Sequence, residues 1–173
     1  IVKQHEGYIN VTSHVGEGTT FTLYLPAHDW SEISPKNESS RETPFGKNQL
    51  ILLVEDDSSV RDIATSMLKR LNYRVLAAGN GSEALEVYRQ HKAEVSLVLT
   101  DMTMPKMGGT ELIVGLREID PAVRIVVITG YPLKNDAQQL LSKDVTDWLQ
   151  KPISMHQLAQ VVHQALTEEE LIN

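Results

Sequence analysis

The sequence has no cysteine. That absence excludes a disulfide framework, a zinc–thiolate centre and a thiol nucleophile, and it fits a reducing compartment. Long hydrophobic runs are missing as well. The longest, such as LILLV at 50–54, are far too short to cross a bilayer, and no stretch reads as a signal peptide. There is no clustered basic face either. With a net charge of −7 and a pI near 5.3, the chain is not expected to hold nucleic acid through phosphate contacts.

What is there reads as a globular protein. Hydrophobic residues make up 41% of 173 positions and charged residues 23%, enough for one good-sized core with or without a small appendage. The chain starts at Ile1 rather than methionine, which suggests an excised piece of a longer protein.

Composition divides the chain. YINVTS and TTFTLYLP alternate apolar and polar positions around Gly16 and Gly18, which predicts a β-hairpin. Two strands bury too little surface to offset the ordering of their backbone, so residues 1–26 look like the remnant of a truncated domain. Residues 27–47 are polar, hold Pro35 and Pro44, and show no periodicity, as a linker would.

From residue 48 to 167 a short apolar run, a turn and a helical stretch alternate, with runs at 50–54, 74–78, 95–100, 124–129 and 147–150. Val60, Ile63, Ala64, Met67, Leu68 and Leu71 define one apolar helix face, and Leu158, Val161, Val162, Ala165 and Leu166 another. Such alternation predicts a doubly wound α/β domain whose parallel sheet is covered on both faces. Residues 168–173 form a short tail.

Ligands of such sheets bind beyond the carboxyl ends of the strands. Four of these ends carry polar residues: Glu55, Asp56 and Asp57 after the first, Asp101 after the third, Thr129 ending the fourth and Lys151 after the fifth. Gathered carboxylates repel unless a cation intervenes, and hard oxygen donors suit Mg²⁺. A lysine and a hydroxyl opposite would complete a phosphoryl site whose nucleophile is a carboxylate. Each feature alone has a plainer reading. The acidic run could cap a helix, the lysine could be a solvated loop residue, and the threonine a simple strand-end hydroxyl. Their joint order favours phosphoryl chemistry.

In order and spacing, ILLVEDD, DMTMPKMGGTEL, VVITG and WLQKPI closely resemble the receiver domain of two-component response regulators. The resemblance implies a flavodoxin-like (βα)5 fold and assigns Asp101 as phosphoacceptor. It implies that Glu55, Asp56, Asp101 and the main-chain carbonyl of Thr103 hold Mg²⁺, with Asp57 opening the first helix. Lys151 would pair with phosphoryl oxygens, Thr129 would move to bond them, and Trp148 would follow as the rotamer switch. The output surface would be the fourth helix, fifth strand and fifth helix of that domain. The Gly-Ala usual before the fifth strand is missing in SKDVTDW.

Residues 1–26 resemble the end of a histidine-kinase ATP-binding domain, GEGTTF matching its glycine box. The rest of that ATP site is absent, and none of the six histidines has a phosphoacceptor-like setting. The order of segments implies a hybrid sensor histidine kinase as parent, cytoplasmic here although the parent could be membrane-anchored. The implied partner is a histidine-kinase core or a histidine phosphotransfer protein, with no nucleic acid and no membrane contact by this piece. Its own chemistry would be limited to Mg²⁺-dependent phosphorylation from a donor and autodephosphorylation. Two other readings stay open: a phosphorylation-silent receiver used as a binding module, and an aspartate-nucleophile phosphohydrolase. The latter usually wants a carboxylate two residues after the nucleophile, where this chain has Thr103.

Overall fold

A computed structural model describes Val2 and residues 7–26, 43–130 and 144–167. The chain divides into two compact units, residues 1–42 and 43–173. Most of the expected linker, the tail at 168–173 and the helix expected between 130 and 144 lie outside the described residues.

In the first unit, β1 (Tyr8–His14) and β2 (Gly18–Tyr24) pair antiparallel. Gly16 and Gly18 turn the chain at φ 84° and 101°, a left-handed region open to glycine without steric cost. Ile9 faces Leu23 and Val11 faces Phe21 across the ladder, and every residue of both strands is exposed.

The second unit is built from β3 (Leu50–Val54), α1 (Ser58–Arg70), β4 (Arg74–Ala78), α2 (Gly81–His91), β5 (Val95–Asp101), α3 (Gly109–Ile119), β6 (Ile125–Thr129), β7 (Asp147–Gln150) and α4 (Met155–Thr167). The five strands from β3 onward form a parallel sheet in the order β4-β3-β5-β6-β7. This is the doubly wound, flavodoxin-like arrangement, and its order reverses at β3. A crevice therefore opens between the carboxyl ends of β3 and β5.

Strands covered on both sides need apolar residues at every position. In β3, Ile51 and Leu53 pack on one face with Leu68 of α1 and Leu158 of α4, while Leu52 and Val54 pack on the other with Leu85 of α2 and Leu112 of α3. Each such buried side chain stabilises the fold by about 1.5–3 kcal/mol. The apolar stripe of α1 is wider than the sheet covers. Ala64 and Leu68 are buried, but Ile63 is exposed and forms a shallow groove with Val60, Pro152 and Ile153.

Caps fix where the helices begin. The Asp57 carboxylate accepts the amides of Ser59 and Val60 at 2.8 and 3.1 Å, which stops β3 and starts α1. Ser154 and Gln157 bond reciprocally ahead of α4, each accepting the other's main-chain N–H at 3.2 Å. Residues 43–47, the end of the expected linker, are held to this unit. Gly46 donates to the Leu71 carbonyl at 2.8 Å and accepts from the Asn72 side chain at 2.7 Å, and a Cβ on Gly46 would run into the Tyr73 ring.

Candidate functional site

Strand parity explains how the carboxylates meet. Glu55 continues the alternation of Ile51 and Leu53, Asp101 that of Leu97 and Leu99, and Lys151 that of Leu149, and all of those residues face α1 and α4. Val54 is level with Thr100, so the next residue on each of these neighbouring strands, Glu55 and Asp101, lies at the same height. Both are buried, whereas Asp56 is exposed. One carboxylate oxygen from each of Glu55, Asp56 and Asp101 lies within 4.8 Å of the others.

Lys151 closes the cluster from the far side. Its Nζ donates to Glu55 Oε2 at 2.8 Å and to Asp101 Oδ2 at 2.9 Å. Burial pulls the ammonium pKa down, but the hydrogen bonds and charges of Glu55 and Asp101 outweigh it, and the net direction is above the ordinary lysine value. Its amide bonds the Thr129 carbonyl at 2.8 Å, which ties the lysine loop to the end of β6. The Lys151–Pro152 peptide is cis.

The loop after Asp101 is turned back sharply. Lys106 adopts φ 71°, and the Thr103 amide approaches Asp101 Oδ1 at 3.4 Å, a long contact. Gly109, first in α3, allows the close return. A Cβ there would stand 2.8 Å from both the Asp101 carbonyl oxygen and Met102 Cα, so α3 starts against the strand that carries Asp101. Thr129 is half-buried at the end of β6. Alternation puts it on the face of Ile125 and Val127, the face on which half-buried Trp148 also packs.

The structure thus brings Glu55, Asp56, Asp101 and Lys151 together, sets Thr103 and Thr129 beside them, and uses Asp57 as a helix cap. One neighbour carried no motif signal. Arg61 on α1 donates through Nη1 to the main-chain oxygens of Glu55 at 2.6 Å and Asp56 at 3.3 Å. Its spacing from Glu55 becomes meaningful only once α1 folds back over the β3 end.

A parallel sheet in this order, with an acidic cluster and a lysine at its carboxyl edge, defines a receiver-type α/β domain. Residues 51–163 match the family described as Response regulator receiver domain, and the chain belongs to that family. Sensor kinase CckA of Brucella abortus (strain 2308) is 33% identical over 177 residues, covering 98% of this chain and 19% of that protein. Sensor protein EvgS of Escherichia coli (strain K12) is 30% identical over 172 residues, covering 94% of this chain and 14% of that protein. The chain therefore spans less than a fifth of each of these relatives. Among solved structures, the receiver domain of the hybrid histidine kinase CckA is 32% identical, with a TM-score of 0.57 over 68% of this chain and 98% of that one. Chemotaxis protein CheY4 of Vibrio cholerae is 27% identical, with a TM-score of 0.63 over the same shares. No helix among the described residues is long and apolar enough to cross a membrane.

Proposed function

We propose that Asp101 is the phosphoacceptor of this receiver domain and takes a phosphoryl group from a phosphohistidine. The observation that carries this reading is the setting of its carboxylate. It is buried, level with Glu55, within cluster distance of Asp56, and bonded at 2.9 Å to the Lys151 ammonium.

The donor set fits Mg²⁺. All three side chains offer hard carboxylate oxygens, Asp56 leaves one side open to water, and three carboxylates against one ammonium leave two negative charges in excess. Glu55, Asp56 and Asp101 would hold the ion together with the Thr103 carbonyl. When bound, it would neutralise charge that spreads over the transferring oxygens.

The residues do the rest. An Asp101 oxygen forms the new bond to phosphorus as the bond from phosphorus to the donor's imidazole nitrogen breaks, and the electron pair of that bond stays on the imidazole. Lys151 exchanges a carboxylate oxygen for a phosphoryl oxygen, Thr129 supplies a hydroxyl donor, and Trp148 follows on the same sheet face. The altered surface beside β7 is the signal. Water later cleaves the acyl phosphate.

The parent protein is read as a hybrid sensor histidine kinase, with residues 1–26 the end of its ATP-binding domain. Supporting this, the alignment with sensor kinase CckA covers 98% of the chain, so the hairpin segment and the receiver are matched together in one relative. The donor is then a histidine-kinase core or a histidine phosphotransfer protein.

The test is intact mass after incubation with acetyl phosphate and Mg²⁺. One added phosphoryl group that is absent from Asp101→Asn supports the assignment. Equal uptake by that variant overturns it.

A further inference from the structure

Arg61 belongs to α1, yet its side chain works on the loop before that helix. Nη1 donates to the Glu55 carbonyl at 2.6 Å and the Asp56 carbonyl at 3.3 Å. Both acceptors are main-chain oxygens of the residues whose side chains form two-thirds of the acidic cluster.

The choice of acceptor matters. A cation bonded to the carboxylates themselves occupies lone pairs that a metal ion needs, and Lys151 does this to Glu55 and Asp101. Arg61 brings positive charge to the same loop from behind and leaves the carboxylate oxygens uncommitted.

The loop is gripped from its other side too. The Glu55 amide donates to the Ala78 carbonyl at 3.1 Å, and the Gly79 amide donates to Glu83 Oε2 at 2.8 Å. A Cβ on Gly79 would stand 3.6 Å from Arg61 Nη1 and 3.4 Å from Glu83 Oε2, so the guanidinium rests over the turn that follows β4. Glu55 is thereby held through its N–H by β4 and through its C=O by α1.

We propose that Arg61 is a positioning residue for the divalent-cation site, bracing the main chain of Glu55 and Asp56 so that their carboxylates converge on Asp101. The inference rests on reading that edge as a Mg²⁺ site. Loss of groups that orient metal ligands typically weakens metal binding by about 10–100-fold. Arg61→Gln should therefore raise the Mg²⁺ dissociation constant about tenfold or more, and Arg61→Lys should fall between it and wild type.

The experiment is calorimetric Mg²⁺ titration of the full chain as wild type, Arg61→Gln, Arg61→Lys and Arg70→Gln, the last an exposed arginine in the final turn of the same helix. It is paired with amide hydrogen exchange of the metal-free proteins. The expected result is weakened Mg²⁺ binding in the Arg61 variants only, with faster exchange confined to residues 55–57. Binding within twofold of wild type in Arg61→Gln overturns the proposal. So does equal weakening in Arg70→Gln, which would make the effect one of net charge, or faster exchange throughout the sheet, which would make Arg61 a general stabiliser. Wild-type protein that takes up no Mg²⁺ overturns the cation site itself, and the bracing role with it.

Discussion

Lys151 Nζ stands 2.9 Å from Asp101 Oδ2, although fifty residues separate the two in the chain. The same ammonium reaches Glu55 Oε2 at 2.8 Å, so one cation holds two buried carboxylates on neighbouring strands. Lys151 thus sets one positive charge against both carboxylates at this edge of the sheet.

Replacing Lys151 by Met should therefore destabilise the metal-free protein by about 1–3 kcal/mol, the cost of leaving buried polar groups without a partner. Mg²⁺ should restore more stability to the variant than to wild type, because the ion supplies the missing charge. Urea unfolding with and without Mg²⁺ measures both effects. An unchanged urea midpoint in the metal-free variant would show the bridge to be energetically idle.

Gly109 separates space from chemistry. A Cβ there would lie 2.8 Å from the Asp101 carbonyl and Met102 Cα, main-chain atoms that do not yield cheaply. Gly109→Ala is expected to cost about 1–3 kcal/mol by overpacking and to slow phosphoryl uptake, since α3 must retreat from the strand bearing Asp101. Thermal unfolding and the time course of intact mass report the two. Full rate together with full stability would mean that the loop has slack.

Asp57 tests the division of labour within the acidic run. Because its carboxylate accepts the amides of Ser59 and Val60, Asp57→Ala should cost about 1 kcal/mol of stability as a lost cap. Mg²⁺ affinity should stay within a few-fold of wild type. A collapse of Mg²⁺ binding with the fold intact would move Asp57 into the ligand set.

Asp120 supplies a pH-dependent tie between α2 and α3. Its carboxylate accepts the Ala122 amide at 3.0 Å and the Tyr88 hydroxyl at 3.0 Å. The Ala122 bond is the largest cause holding its pKa below the usual aspartate value, with Tyr88, Lys92 and Arg117 acting the same way and burial opposing them. A depressed folded-state pKa gives stability that is present above the unfolded value and lost as pH falls through the folded one. Asp120→Asn should thus be less stable than wild type at neutral pH, and the gap should narrow on acidification below about pH 4. Urea midpoints across that range decide it, and a gap that widens towards acid contradicts the assignment.

The sequence by itself determined the elements and their faces. Continuous apolar runs such as LILLV mark strands buried on both sides, and the three- and four-residue spacing of Ala64, Leu68 and Leu71 marks a covering helix. The order of strands and polar strand ends already places Glu55, Asp56, Asp101, Thr129 and Lys151 at one edge, because parallel strands all end on the same side of the sheet. Local periodicity could not say that Ile63 would remain exposed, since the width of an apolar stripe does not reveal how much of it a neighbouring sheet covers. Periodicity did not separate Asp57 from Asp56 either; the receiver motif did, by giving Asp57 to the start of the first helix, where its carboxylate accepts the amides of Ser59 and Val60. Only the tertiary structure decided that the Arg61 guanidinium would bond the carbonyls of Glu55 and Asp56, and that Lys151 would bridge two strands. Those contacts depend on strand order and on how α1 folds back over β3, which are set by the packing of the whole core rather than by any short stretch of chain.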